Sequence, residues 1–243
     1  MKDQYDEIFN DVQRILVVFA HPDDCEIVCG STVARLRDEK KDVRLVVTTT
    51  GGKGVQDKTG ISEEEFGKKR QQEQINGGIA LGIPENENFN LGIPDGEVEP
   101  DLSTIGKIVY HIREFKPDLI ITHNPSDEII DFPPSARWVN HRDHRNTGLA
   151  TLDAAYPYSR DNNFFPDQLS SGLTRHEVRK FLFSDSYTKP YAISFNTEDY
   201  LDHKRKALEA HEIAIAKDLI EDYIGEMKQD EGYFELLGYV TIY

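Results

Sequence analysis

The stretch Arg14-Ile15-Leu16-Val17-Val18-Phe19-Ala20-His21-Pro22-Asp23-Asp24 restricts the possible folds more than any other part of the chain. Residues Arg14 to Ala20 form an apolar, β-branched run, the signature of a buried strand. A His-Pro pair stops it, because proline has no N–H to give to a sheet ladder. From Glu26 the apolar period becomes helical, through Ile27, Val33 and Leu36, and it ends in the polar stretch Arg37 to Asp42. The segment reads as strand, tight turn and helix. Its imidazole and two carboxylates, His21, Asp23 and Asp24, sit on the turn, where open parallel sheets bind their ligands.

The remaining sequence alternates in the same way. Val43 to Thr49 reads as a second strand, followed by a polar loop from Gly51 to about Glu63. That loop resembles a phosphate loop at a glance, but Lys58-Thr59 follows Asp57 and the Gly-Lys-Ser/Thr order is missing. Ser62 to Leu81 is predicted helical, with Ser62 and Glu65 at capping-box spacing. Asn88 to Ile93 predicts a short strand, closed by the turn Pro94-Asp95-Gly96. Leu102 to Phe115 is a helix with Ile105, Ile108, Val109 and Ile112 on one stripe, and Asp118 to Thr122 a buried strand ending at His123-Asn124.

Pro125 to Asn140 carries too many Pro and Asp residues for regular structure and reads as a long functional loop. A helix from about Asn146 to Ala155, a loop from Tyr156 to Thr174, a strand from Val178 to Phe183 and an edge strand from Tyr191 to Phe195 follow. Glu198 to about Lys228 reads as one long amphipathic helix, broken near Gly225. Strands alternating with helices imply an α/β chain with a mainly parallel, doubly wound sheet, in one domain spanning 1–243. The first strand is expected at its centre, beside Asp118 to Thr122.

Composition narrows the function classes. The chain has 243 residues, enough for one sizeable core, and a formal net charge of −16 with a pI near 4.9. With no basic patch, nucleic acid is not an expected partner, and an acidic surface disfavours anionic membranes. The longest apolar run, Ile15 to Ala20, is too short to span a bilayer. Met1 to Asp11 is acidic and polar, unlike a signal peptide. Cys25 and Cys29 match neither a redox pair nor a zinc ribbon, so they are expected as reduced, core-facing side chains of a cytoplasmic protein.

His21, Asp24 and His144 together offer two imidazoles and a carboxylate, a set that binds zinc and leaves a position for water. Zinc lowers the pKa of such a water from about 15.7 to about 7. Asp23, adjacent to Asp24 but with its side chain aimed elsewhere, is then free to act as general base. His141, three residues before His144, is placed to steady an oxyanion. A bare H-x-x-H is a weak signal, and two clusters at a strand end and in a long loop reinforce each other.

These residues resemble a known family. Ala20-His21-Pro22-Asp23-Asp24-Cys25-Glu26 is similar to the A-H-P-D-D-x-E signature of the LmbE-like/PIG-L zinc N-deacetylases, and His141-Arg142-Asp143-His144-Arg145-Asn146-Thr147-Gly148 to their second signature, usually H-x-D-H-R-x-T-G. Arg70 with Glu73, and Leu91 to Gly96, resemble weaker middle motifs. Lys206 to His211 resembles the closing helix, although Glu212-Ile213 stands where the family often has Ser-Gln.

The resemblance implies a Rossmann-like three-layer sandwich and one zinc ion per chain held by His21, Asp24 and His144. It implies Asp23 as base and then proton donor, and His141 as transition-state stabiliser. The implied substrate is a small N-acetylated molecule, mostly an N-acetylglucosamine conjugate, cleaved to amine and acetate. Arg70, Asp95 and His123 are candidate substrate contacts; the plainer readings are an Arg70–Glu73 helix pair and an Asp95 that only fixes its turn. His111, His176 and His203 are expected to be solvated. Trp138 with Phe132, Tyr156 and Tyr158 is a candidate sugar-stacking wall, and Glu26 either caps the first helix or braces the metal shell. A homo-oligomer is compatible with the sequence. Two other classes are weighed: a metal-dependent hydrolase of another amide, ester or phosphoester bond, and a nucleotide-binding module with structural histidines. The latter lacks G-x-G-x-x-G after the first strand, and no basic clamp favours phosphate.

Overall fold

The computed structural model describes residues 1–54, 60–132 and 136–242, and in it the first strand, β1 (Arg14–Phe19), lies at the centre of the main sheet. After a short helix α1 (Tyr5–Phe9), β1 runs into α2 (Asp24–Asp38), then β2 (Asp42–Thr49), α3 (Glu63–Ala80), β3 (Asn88–Ile93), α4 (Leu102–Phe115) and β4 (Leu119–Thr122). A hairpin, β5 (Ile129–Phe132) and β6 (Ala136–Val139), precedes α5 (Arg142–Asp153) and α6 (Pro166–Ser170). The chain closes with β7 (Lys180–Phe183), β8 (Ala192–Asn196), α7 (Leu201–Glu209), α8 (Lys217–Gly225), β9 (Lys228–Gln229) and β10 (Gly232–Thr241).

The sheet order is β3-β2-β1-β4-β7-β10-β8, parallel from β3 to β7, with β10 antiparallel to both of its neighbours. Winding reverses between β1 and β4, so the expected crevice forms at their carboxyl ends. Side chains alternate along β1 and serve two cores. Ile15, Val17 and Phe19 pack with Val33 and Leu36 of α2, whereas Leu16 and Val18 pack with Ile105, Ile108 and Ile112 of α4 and Ala150 of α5. Helices on both faces of a mostly parallel sheet make the three-layer α/β architecture.

Several boundaries differ from the expected ones. Pro125–Asn140 holds the β5–β6 hairpin, because Ile129-Ile130 and Trp138-Val139 face each other as β-forming pairs and Asp131 pairs with Arg137 across the strands. The loop Tyr156–Thr174 begins in a π-helical turn (Ala154–Ser159) and contains α6. The last helix is two helices: α7 ends at Glu209 and α8 starts at Lys217, so the break falls at His211, well before Gly225. His211 is fully buried there, and its carbonyl accepts from Ala214 N and Ile215 N. Strand β10 lies beyond that helix and was not foreseen, since buried Glu235 interrupts its apolar alternation. The α5 helix starts at Arg142, with His141 as its N-cap. Asp57, Lys58 and Thr59 of the phosphate-loop comparison lie outside the described residues. Cys25 and Cys29 are buried and unpaired, as expected.

A buried ion pair repairs a break in α2. The helix leaves helical geometry at Cys29 (φ −142°, ψ 24°), which frees the N–H groups of Ser31 and Thr32 from their usual carbonyls. Glu235 of β10 accepts both, at 3.0 and 2.7 Å, while Lys204 of α7 donates to the freed Ile27 carbonyl at 2.7 Å. Lys204 and Glu235 meet at 3.0 Å with both side chains about fully buried. Residues far apart in the chain thus hold the helix that carries Asp24.

His111 is buried against Phe89, contrary to its expected solvation, whereas His203 is exposed and His176 is half-buried, bonded to Pro117 O at 2.7 Å. Burial, and then the charge of Arg44, push the His111 imidazole down from 6.5 to about 4. The unfolded chain therefore binds this proton first as pH falls. Stability from the neutral ring is full above pH 6.5 and is lost as pH drops toward 4, a loss of about 3 kcal/mol. Thermal melts of wild type and His111→Leu between pH 7 and 4 check this: the variant should lose less stability on acidification, and parallel curves would contradict the burial argument.

Candidate active site

The turn after β1 fixes the site through an unusual backbone. Asp23, the residue before α2, adopts φ +124°, a conformation L-residues rarely hold outside functional turns. That turn sends two consecutive carboxylates in different directions. Asp24 points under the crevice, with Oδ2 accepting from His21 N at 2.7 Å and lying 3.1 Å from His123 Nε2. Asp23 points the other way, to Arg70 of α3, whose guanidinium donates to its Oδ2 at 2.6 Å and also to the Pro22 carbonyl.

His144 reaches the same place from α5. Gly148 lets the helix approach, since a Cβ there would stand 2.4 Å from the His123 carbonyl oxygen. The His144 ring then stacks on His123 at 4.0 Å and 6°. Its Nε2 lies 3.2 Å from His21 Nδ1 and 3.4 Å from Asp24 Oδ1, and His21 Nδ1 lies 3.5 Å from Asp24 Oδ2. The three expected residues, distant in sequence, therefore converge.

Hydrogen bonding assigns the tautomers around them. His21 Nε2 faces the Asp95 and Asp143 carboxylates at 3.3 and 3.5 Å, so it carries the hydrogen and leaves Nδ1 with a lone pair. Asp143 is itself buried, accepting from Gly96 N at 2.6 Å and Val98 N at 3.2 Å. His21 Nδ1, His144 Nε2 and the Asp24 carboxylate thus face one another at a junction that needs a cation or a proton between them; burial opposes charge on the His21 ring, but its bonds to Asp143, Asp24 and Asp95 raise the imidazole well above its usual range. Their spacing matches the roughly 3.3 Å between donors of a tetrahedral ion bound at about 2.0–2.1 Å. The surroundings, four carboxylates (Asp23, Asp24, Asp95 and Asp143) against the guanidinium of Arg70 on Asp23 and that of Arg142 3.8 Å from Asp143, suit a divalent cation. Overlapping trios, His21 with His141 and His144, Asp24 with His123 and His144, and His21 with Asp95 and Asp143, also bring donor atoms within 4.8 Å of one another.

The other expected contacts sit behind these groups. Arg70, Asp95 and His123 are all buried. Arg70 pins Asp23, Asp95 holds His21 and accepts from Lys53 N at 3.1 Å, and His123 Nε2 takes the Ala20 N–H at 3.1 Å while its Nδ1 meets Ser184 Oγ at 3.1 Å. His141 is different. As N-cap of α5, its Nδ1 accepts from Asp143 N at 3.2 Å, which leaves the Nε2–H as a donor. Its ring is exposed and 4.8 Å from that of His21.

Charge follows the packing. Burial pushes the Asp23 carboxyl up to about 6, against the pull of Arg70. Burial would also raise Asp24, but His144 and His123 hold it well below the usual carboxylate range.

Three groups near the site had no settled role in the sequence reading. Asp143 lies inside the H-R-D-H run and was legible there as a third polar residue. Asp185, with Oδ2 3.9 Å from His123 Nδ1, has no local signal. The third is a buried pair, Glu26 and His211, 3.5 Å apart, neither with a hydrogen-bond partner among the described residues. Glu26 caps nothing. Gly77 of α3 makes room for the pair, since a Cβ there would lie 2.5 Å from Glu26 Oε1 and 2.8 Å from His211 Nε2. Of the four aromatics considered for a wall, Phe132 and Trp138 come together, whereas Tyr158 packs on Phe164 and Phe165, and Tyr156 lies under Arg160.

Residues 16–155, which contain both histidine clusters and the aspartates around them, match the profile of the family described as PIG-L, GlcNAc-PI de-N-acetylase. The chain belongs to the PIG-L family. Among curated PIG-L relatives, the diacetylchitobiose deacetylase of Thermococcus kodakarensis is 27% identical over 218 residues, covering 88% of this chain and 75% of the relative. The solved N,N'-diacetylchitobiose deacetylase of Pyrococcus horikoshii superposes with a TM-score of 0.79 at 23% identity, over 96% of this chain and 85% of that one. A 4-carboxy-2-hydroxymuconate hydratase from Pseudomonas putida, GalB, shares the fold at a TM-score of 0.73 and 15% identity, over 95% and 96% of the two chains. The fold thus hosts more than one reaction, and the chemistry must be argued from the site.

Proposed function

We propose that this PIG-L chain, read as one domain over 1–243, is a zinc-dependent N-deacetylase of an N-acetylglucosamine-type conjugate. The supporting observation is the meeting of His21 Nδ1, His144 Nε2 and the Asp24 carboxylate at 3.2–3.5 Å. His21, Asp24 and His144 would hold the ion; His123 Nε2, 3.1 Å from both Ala20 N and Asp24 Oδ2, would stand behind them, and His141 uses its Nδ1 on Asp143 N–H. A bound divalent cation supplies Lewis acidity that makes water a usable nucleophile near neutral pH and polarises a carbonyl.

The chain's own groups do the rest. Asp23, with one oxygen pinned by Arg70, takes the proton from the attacking water and returns it to the amine nitrogen as the C–N bond breaks. His141 donates its Nε2–H to the acetyl oxygen as negative charge develops there. Asp95 and Asp143 fix the His21 tautomer, a positioning role of the kind that carboxylates play behind metal-ligating imidazoles. Acetate and a free amine leave.

The unpaired cysteines support a reducing, cytoplasmic location, and among the described residues no helix is long and apolar enough to cross a membrane. The deciding experiment combines metal analysis of protein purified without added zinc with an assay for primary amine released from N-acetylglucosaminyl conjugates. About one equivalent of zinc per chain is expected, and dipicolinate should abolish turnover, with recovery on adding zinc back. Turnover that survives complete chelation would end this reading.

A further inference from the structure

Between β4 and α5 the chain leaves the main sheet for the β5–β6 hairpin, and one face of that insertion is aromatic. Phe132 and Trp138 lie on the face of buried Ile130, and both meet Tyr187 from the segment after β7. Ring centroids are 4.7 Å apart for Phe132–Tyr187, 5.9 Å for Phe132–Trp138 and 6.3 Å for Trp138–Tyr187. Trp138 nevertheless keeps 41% of its surface open.

Two chain connections tie this cluster to the site. Trp138 precedes His141 by three residues, which keeps their Cα atoms within about 10 Å. Tyr187 follows two residues after Asp185, whose carboxylate faces His123.

Charge around the cluster selects the occupant. Lys189 is paired with Asp127 at 2.7 Å, Arg137 with Asp131 at 2.5 Å and Arg142 with Glu99, Arg70 is buried on Asp23, and Arg145 donates to the Asn140 carbonyl. These cations are engaged, and the Asp185 carboxylate stands two residues from Tyr187. Such a setting repels a phosphate or carboxylate. It accepts a neutral ring whose C–H face packs on an indole.

We propose that Phe132, Trp138 and Tyr187 form a stacking subsite for an uncharged second sugar ring, next to the ring that carries the acetamide. The subsite rests on the deacetylase reading for its substrate, but its occupancy is measurable without turnover. Trp138 is the only tryptophan in the chain. Its fluorescence therefore reports the subsite alone.

In zinc-loaded Asp23→Asn protein, N,N'-diacetylchitobiose should change that emission saturably, and N-acetylglucosaminyl malate, with its carboxylates, should not. In the active enzyme, Trp138→Ala should raise KM for diacetylchitobiose about tenfold with kcat within about twofold, while kcat/KM for the one-ring methyl glycoside of N-acetylglucosamine, which has no second ring to stack, should fall far less. Trp138→Phe should restore most of the affinity. Equal losses on both substrates would mean a structural tryptophan, and no change on either would remove the subsite. Emission that follows protein concentration and ignores sugar would assign the face to a second copy of the chain. A saturable signal without amine release would keep the subsite and overturn the deacetylase reading. Amine release with a silent indole would do the reverse.

Discussion

Asp23→Asn should retain the proposed zinc and lose roughly 10²–10⁴-fold in kcat, whereas Asp24→Ala should lose that metal itself. The two residues are adjacent in sequence, and a general electrostatic role would make the variants behave alike. Their geometry says otherwise. The positive φ of Asp23 turns its carboxylate to Arg70, 2.6 Å away, while Asp24 faces His21, His144 and His123. Amidation of Asp23 leaves the donor atoms of the proposed ion site untouched and removes only the group that accepts the proton. Truncation of Asp24 removes a donor and leaves only His21 Nδ1 and His144 Nε2, 3.2 Å apart, to hold the ion. Metal content measured beside kcat separates the cases. Loss of zinc in both variants would make Asp23 part of the ion site, and full turnover in Asp23→Asn would dismiss it as the base.

The second large effect is on stability. Lys204→Met should destabilise the protein by about 3–5 kcal/mol, because it strands the Glu235 carboxylate in the core. For a chain of this length that is a fall of roughly 10 °C in Tm. Glu235 would keep its bonds from Ser31 N, Thr32 N and Thr32 Oγ1, but its counter-charge and the donor to Ile27 O would both be gone. The double variant Lys204→Met with Glu235→Gln should recover part of the loss, since no buried charge then remains. Chemical denaturation of the single and double variants tests this. A single variant within 1 kcal/mol of wild type would show that the buried pair contributes little. The pair matters to function indirectly, as it braces the broken helix whose first residue is Asp24.

The structure brings together the two histidine clusters that carry the family likeness, and the reasons for what was and was not legible differ by element. The strand Arg14–Phe19, the turn after it and the stripe of α4 are local patterns. One face of a helix or a buried parallel strand writes its burial into consecutive residues, and the order of strands then follows from right-handed crossovers. The break at His211 left no such trace, because apolar residues at helical spacing continue on both sides of it in α7 and α8. Strand β10 was hidden by the charge of Glu235, which is buried only because Lys204 arrives from another helix.

The same division runs through the site. Sequence by itself determined the parallel α/β class, the two histidine-bearing turns and the residue types able to bind a cation, since these depend on local periodicity and on motifs of a few residues. Tertiary structure alone decided that Asp95 and Asp143 orient His21, that Arg70 lies on Asp23 instead of at an open wall, and that Trp138 joins Tyr187 instead of Tyr156. Each of those depends on which side chains from distant segments reach within a few ångströms, and one carboxylate or aromatic ring looks the same in sequence whether it meets a ligand, a neighbour or water.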